Sequence, residues 1–225
     1  MMKRILLLGC IATMIACTPT KQSTIDTTLQ TKVDSILQNK MSEIGAISGQ
    51  AIVMEVQTGE IKAMVGNGIS QESGLIRTAS LLTALETGKV KLSDTVDVGE
   101  GVYMVHDKEL LDHNWHRGGY GKLTTLQGLM VNSHIANYKN IERAFEEEQV
   151  YFNMLNKMSY GQPENIEGLD SLKHAHFVTP NDSGWSNTSI AWFCIGYNQQ
   201  ISPIQMLTFY NAIANEGKMV KPTLY

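Results

Sequence analysis

Apolar residues recur at helical spacing in several stretches of the chain and alternate with a turn in another, and these patterns predict most of its elements. Behind Thr24-Ile-Asp-Thr-Thr-Leu-Gln30, the residues Leu29, Val33, Ile36 and Leu37 form a helical stripe. Gly49–Val56 and Ile61–Val65 are two apolar runs around Gln57-Thr-Gly-Glu60, the pattern of a β-hairpin. From Thr78 to Leu85 there is no charge. Leu75, Ala79, Leu82 and Leu85 repeat there with Leu81 and Ala84 beside them, which predicts a central helix fit for burial around most of its circumference, stopped by Gly88.

Further along, Asp94–Gly101 reads as extended or loop, and Asp112–Tyr120 as a loop closed by glycines. Tyr138–Lys157 reads as one charged amphipathic helix with Phe145, Val150, Phe152 and Leu155 inward and Glu146-Glu-Glu148 as a solvated face. Met206, Phe209, Tyr210 and Ile213 make a last helical stripe that ends at Gly217. The class is α+β, mostly helical with an N-terminal β-hairpin.

The start of the chain belongs to no element of that fold. A basic Met1-Met-Lys-Arg4 precedes an apolar run, Ile5–Ala16, that is too short to span a bilayer as a helix, and Met14-Ile-Ala-Cys17 closes it. This pattern fits a secretory signal over residues 1–16 and resembles a bacterial lipobox. The resemblance makes Cys17 the lipid attachment site, residues 17–23 a polar tether and residues 24–225 the folded domain, held on the periplasmic face of the bacterial envelope. Cys10 would leave with the leader and Cys17 would carry lipid, so Cys194 would have no partner for an intrachain disulfide. A net charge of −4 with no basic run argues against nucleic acid. With 225 residues and 43% hydrophobic content the chain can bury one domain-sized core.

Several blocks resemble the transpeptidase domains of penicillin-binding proteins. Thr24–Gln30 is similar to the T-I-D-x-x-L-Q that opens such domains, and the hairpin matches their first strand pair. Asp112-His-Asn-Trp-His-Arg-Gly-Gly-Tyr120 resembles a run in cell-wall transpeptidases of the Bacteroidetes type. Ile195-Gly-Tyr197, Pro203-Ile-Gln205 and Ala212-Ile-Ala-Asn-Glu-Gly-Lys-Met-Val-Lys-Pro222 are similar to the family's I-G-Y-x-x-x-x-x-P-x-Q and A-I-A-N-x-G-K-M-V-x-P. The resemblance implies a partial fold of the penicillin-binding-protein and β-lactamase type with the later sheet strands missing. It also implies a relation to enzymes that cross-link peptidoglycan.

The catalytic motifs depart from that family. With Ala84-Leu-Glu-Thr-Gly88 set on its A-L-E-x-G, Gly74 stands where the family's nucleophilic serine belongs and Arg77 where its lysine belongs. That chemistry needs a hydroxyl and an amine one turn on, and a guanidinium with a pKa above ~12 cannot accept the proton. Ser73 is the only local substitute, with Ile76 and Arg77 at i+3 and i+4. In Val131-Asn-Ser-His-Ile135, set on the family's S-S-N-I, Asn132 replaces the serine and His134 the asparagine of the S-x-N motif. No K-T-G occurs before Tyr225, and without the strand that bears it the hairpin is expected to show an unpaired edge.

No catalytic residue is therefore expected intact. Gly74, Arg77, Asn132 and His134 are vestigial positions and Ser73 is the one candidate nucleophile. The leading expectation is a lipid-anchored, non-catalytic relative that binds peptidoglycan or a cell-wall synthesis protein, with self-association open. A residual D,D-transpeptidase using Ser73 and a non-functional gene remnant are the alternatives. No cofactor is expected. His113-x-x-His116 and His174-x-His176 have ligand-like spacing but lack the H-E-x-x-H arrangement or a cysteine partner, so no metal is expected either.

Overall fold

The computed structural model describes residues 21–67, 72–163, 165–169 and 174–225. The expected leader, Cys17 and the first residues of the tether lie outside them. Helix α1 (Thr27–Ile44) starts at Asp26, whose Oδ1 accepts from the N–H groups of Thr28 and Leu29 at 2.9 and 3.0 Å, and ends at Gly45 in the left-handed conformation. Leu29, Val33, Leu37 and Met41 form its half-buried stripe. Ile36, expected inward, is 68% exposed, because spacings of four keep one face while i+3 from Val33 drifts off it.

The hairpin forms as expected from β1 (Gln50–Met54) and β2 (Ile61–Gly66), antiparallel, with Ala51 opposite Val65 and a bulge at Met54. Its turn needs glycine: Gly59 has φ 78°, and a Cβ there would stand 2.5 Å from the Lys221 carbonyl oxygen. That close approach lets Thr223 lie alongside the turn. Its N–H donates to the Gly59 carbonyl and its carbonyl accepts from Ile61, at 3.0 and 2.9 Å.

The outer edge of β2 is covered by the beginning of the fold. Asp26 N–H donates to the Lys62 carbonyl, and the Gln30 side-chain amide both donates to and accepts from the Met64 backbone at 2.8 Å. Among the described residues β1 pairs only with β2, so the unpaired edge expected for the hairpin falls on β1.

Helix α2 (Ile76–Glu86) is the central helix, and α4 (His134–Ala144) and α5 (Glu148–Lys157) pack against it. Ile76, Ala79, Ser80, Leu81, Thr83 and Ala84 are buried, and Leu82 and Leu85 are half-covered. Leu75 precedes the helix and is 55% exposed, contrary to the expected stripe. The two polar residues on the buried face are satisfied. Thr83 Oγ1 donates to the Ser80 carbonyl at 2.6 Å, and Ser80 Oγ lies 2.7 Å from Tyr151 Oη and 3.2 Å from the Cys194 carbonyl oxygen. Burial pushes the Cys194 thiol up to about 12, so this cysteine is an inert core residue.

The single helix expected over Tyr138–Lys157 is two, broken where Phe145 and Glu147 become extended. Phe145, Phe152 and Leu155 are buried as expected, but Val150 is 45% exposed and Tyr151 takes the inward place beside them. Nor is Glu148 part of a solvated face, since it accepts a 2.5 Å hydrogen bond from the Trp185 indole. Phe193, at the end of α6 (Ser189–Phe193), collects the aromatic core. Its ring centroid lies 4.6, 5.9 and 6.1 Å from those of Phe152, Phe177 and Tyr151.

The middle of the chain holds more strand than was expected, beginning inside Asp94–Gly101, the stretch read as extended or loop. β3 (Thr95–Gly99) pairs with β6 (Gly121–Thr124), and β4 (Val102–Val105) with β5 (Lys108–Leu111). The Asp112–Tyr120 loop between them contains one 3₁₀ turn at Trp115–Arg117. Helix α3 (Thr125–Met130) follows, and a two-stranded pair, β7 (His176–Phe177) and β8 (Gln199–Gln200), lies near the end. The last helix, α7 (Pro203–Ala214), opens with Pro203 and a Ser202–Gln205 capping box, packs on β1, and buries Met206 and Phe209. Its expected inward residue Ile213 is 43% exposed. The fold is α+β, with few strands and its core built around α2.

Candidate functional site

The approach to α2 is fixed by a glycine from the far end of the chain. Gly196 (φ 125°) lies so near that a Cβ on it would stand 2.7 Å from Gly74 N and from Ser73 C and O. Ser73 N–H donates to the Gly196 carbonyl at 3.2 Å, the Gln199 side chain donates to the Ser73 carbonyl at 3.1 Å, and Asn198 N–H donates to the Glu72 carboxylate at 3.0 Å. Ser73 is thus a loop serine two residues ahead of the Leu75 cap position. Its Oγ is 3.4 Å from Leu75 N, and no lysine, histidine or carboxylate bonds to it among the described residues. It lines a groove of about 400 Å³ with Leu75, Met206, Leu207 and Tyr210.

Gly74 and Arg77 are brought into contact. A Cβ built on Gly74 would meet Arg77 Nη2 at 2.7 Å, Cζ at 3.2 Å and Nη1 at 3.3 Å. The guanidinium therefore stands in the space that a side chain at position 74 would use. Arg77 is half-buried, and its withdrawal from water lowers its pKa from the ordinary value.

The second motif forms the junction of α3 and α4. Asn132 is exposed and takes φ 60°, a left-handed position that asparagine tolerates. Ser133 caps α4, accepting from Ala136 N–H at 3.0 Å. The buried Asp112 holds this cap, accepting from Ser133 Oγ at 2.7 Å and from Ile135 N–H at 3.1 Å. His134 is the first residue of α4. Its Nδ1 lies 2.9 Å from the Leu111 carbonyl oxygen, which places the ring proton on Nδ1 and leaves Nε2 an acceptor. Arg77 and His134 are close enough for the arginine's charge to act on the ring.

Asp112, Ser133, Gly196 and the buried Asn137, which donates to the Cys194 carbonyl at 2.8 Å, are positioning residues with no part in the vestigial motifs. The capping pattern at Ser133 was readable in the sequence. The pairing of Asp112 with it, 21 residues away, had no local signal. Of the histidine pairs with ligand-like spacing, for which no metal was expected, His113 Nε2 bonds Tyr120 Oη at 2.9 Å and His116 packs on Trp115. Among the described residues no group of three or more His, Cys, Asp or Glu could hold an ion.

Burial, and then the charge of Arg77, depress the His134 pKa below its ordinary 6.5. A base depressed in the folded state stays neutral there while its unfolded counterpart protonates, so stability is full above pH 6.5 and falls as the pH drops from 6.5 through the lower folded value. His134→Asn is expected to flatten that part of the stability profile. Urea midpoints of both proteins from pH 7.5 to 5 check it, and parallel curves would show that His134 contributes nothing to the acid sensitivity.

The family model of the penicillin binding protein transpeptidase domain matches residues 49–225. The chain is 23% identical over 222 residues to the probable peptidoglycan D,D-transpeptidase PbpC of Pseudomonas aeruginosa, covering 89% of this chain and 38% of that protein. It is 26% identical over 221 residues to penicillin-binding protein PbpB of Mycobacterium tuberculosis, covering 89% and 32%. The chain thus spans about a third of the length of the curated relatives it matches. In fold it is similar to a peptidoglycan glycosyltransferase structure from Burkholderia ambifaria, with TM-score 0.80 and 22% identity over 91% of this chain and 65% of the other. The transpeptidase domain of Burkholderia pseudomallei penicillin-binding protein 3 gives 0.78 and 22%, over 90% and 60%.

Proposed function

Because the chain belongs to the penicillin-binding protein transpeptidase family, we propose that it is a non-catalytic member that works in the bacterial envelope by holding peptidoglycan peptides on a retained scaffold. The observation that carries this reading is the guanidinium of Arg77 standing over Gly74. A serine acyltransferase needs a hydroxyl there and an amine that can lose its proton beside it. Glycine offers no hydroxyl, and arginine does not deprotonate at any pH the protein survives. Asp112, Ser133 and Asn137 still position the junction next to it, and Gly196 still fixes the approach to α2.

Placement in the envelope is part of the same proposal. Residues 1–16 act as a secretory leader, Cys17 takes lipid, and residues 17–23 tether the folded domain from residue 24 onward. Thr24 supports that boundary, since its N–H bonds the Leu224 carbonyl and its Oγ1 the Ile61 carbonyl, at 3.0 and 2.8 Å. No helix of the described residues is long and apolar enough to cross a membrane.

Cosedimentation tests the binding reading. The purified chain, incubated with isolated peptidoglycan sacculi, is expected to pellet with them and to be released by soluble wall peptides. A pellet no richer in this protein than in an albumin control would overturn the reading.

A further inference from the structure

A cavity of about 260 Å³ lies between α5 and the segment that follows β7, and none of the residues lining it is charged. It is apart from the vestigial positions, since Ser73, Gly74, Arg77, Asn132 and His134 do not line it. Its floor is apolar, made by the buried Phe152, Leu155 and Tyr160 with the half-buried Phe177. Its rim is made of amides. Gln149, Asn153 and Asn156 stand at i, i+4 and i+7 along one face of α5, and Asn181 reaches them from the other side. A solvated helix face is ordinarily built from Glu and Lys, which favour the helix more than asparagine does, so helix stability does not account for this stripe.

The amides are ordered head to tail. Asn181 Nδ2 donates to Gln149 Oε1 at 3.2 Å, and Gln149 Nε2 donates to Asn153 Oδ1 at 3.1 Å. That relay fixes which way each amide points and leaves its two ends open among the described residues: the Asn181 oxygen as an acceptor and the Asn153 NH₂ as a donor. The Asn156 side chain adds one group of each kind. The wall that carries Asn181 is pinned as well. Thr179 N–H and Oγ1 both donate to Asp182 Oδ2 at 2.8 Å, and the Trp185 indole ties the same loop to Glu148 at the start of α5. The rim is therefore in place before a ligand arrives, which spares the cost of ordering it.

An uncharged rim of donors and acceptors over an apolar floor suits a molecule with the same two sides. A pyranose sugar is one: hydroxyls that both donate and accept surround its edge, and C–H groups cover its faces. A charged ligand would find no opposite charge in the lining, and an alkyl chain would leave the amides unpaired. The volume holds a single ring, below the range of drug-sized ligands.

We propose that this cavity is a binding site for one neutral pyranose ring, held without covalent change by the ends of the amide relay over the Phe152 and Phe177 floor. It does not rest on the reading of the chain as a binder of wall peptides, and the sacculus experiment and this one decide separate questions.

The test titrates the full chain, labelled with nitrogen-15, with methyl α-D-glucopyranoside and follows the side-chain NH₂ signals by NMR. Those of Gln149, Asn153, Asn156 and Asn181 are expected to shift along a saturating curve with a Kd on the order of 1 mM, the affinity of about a dozen heavy atoms at ordinary ligand efficiency. The amides of Gln30 and Asn211, which bond backbone carbonyls elsewhere, should stay still. Asn153→Ala and Asn181→Ala, at exposed sites, are each expected to weaken binding about 3–10-fold while Tm stays within about 2 °C.

Shifts that stay linear in sugar concentration, or that move Gln30 and Asn211 as much as the four rim amides, overturn the proposal, and this reading needs no variant. Glycerol producing the same shifts at the same concentration would reduce the site to generic polyol contact and overturn it too. Alanine variants that bind the glucoside as well as the unaltered chain would remove the relay from the site. Uridine binding more tightly than the glucoside would overturn the sugar assignment in favour of a nucleoside.

Discussion

Incubated with a fluorescent penicillin, the purified chain is expected to carry no covalent label, and Ser73→Ala is expected to leave that result unchanged. Acylation requires a hydroxyl that gives its proton to a nearby base as the β-lactam ring opens. At position 74 there is no hydroxyl, and the neighbouring Arg77 cannot take a proton. Ser73 has the hydroxyl, but Gly196, Gln199 and Ile76 tie its backbone into the loop, and among the described residues no base reaches its Oγ. In serine enzymes, loss of the nucleophile costs about 10⁶ in rate, which puts any residual reaction far below detection. Gly74→Ser alone is expected to stay unlabelled, since its Cβ would arrive 2.7 Å from Arg77 Nη2 and find no base there. A label on the unaltered chain that disappears in Ser73→Ala would show that this loop serine reacts after all.

Phe193→Ala is expected to produce the largest loss of stability. The side chain is 0% exposed, with Phe152, Phe177 and Tyr151 packed edge-on around it, and those rings cannot close over the void because α5 and β7 fix two different sides of it. Such a substitution costs about 3–5 kcal/mol through lost transfer energy and the cavity left behind. In a chain of this size the corresponding fall in Tm is about 6–20 °C. Thermal unfolding followed by circular dichroism measures it. Ile213→Ala, at a 43% exposed site, is the comparison and should stay within about 0.5 kcal/mol of the unaltered protein. Similar melting of the two variants would mean that the aromatic cluster is not the centre of the core.

The long-period features of this fold were legible in the sequence. The uncharged run after Leu75, the hairpin around Gln57–Glu60 and the helix that follows Ser202 each form within a few residues of where the pattern put them. Single inward positions were less legible. Leu75, Val150 and Ile213 were placed on buried faces by spacing alone, and each turns outward because an element starts, breaks or ends beside it. The four-residue strands β4, β5 and β6 were missed, being too short for alternation to stand out from a loop. The positions of Gly74, Arg77, Asn132 and His134 were legible through a resemblance. The contact of the arginine head with Gly74, and the burial of Asp112 beneath Ser133, depend on side-chain paths that no local pattern encodes.

The clamp that Gly196, Asn198 and Gln199 place on residues 72–74 joins segments up to 126 residues apart. A ribosome that has just finished the central helix must therefore go on translating for on the order of ten seconds before the clamp exists. Through that interval the nascent chain presents an unfinished helix entry to chaperones and proteases, and a message cut short before codon 196 leaves it in that condition permanently.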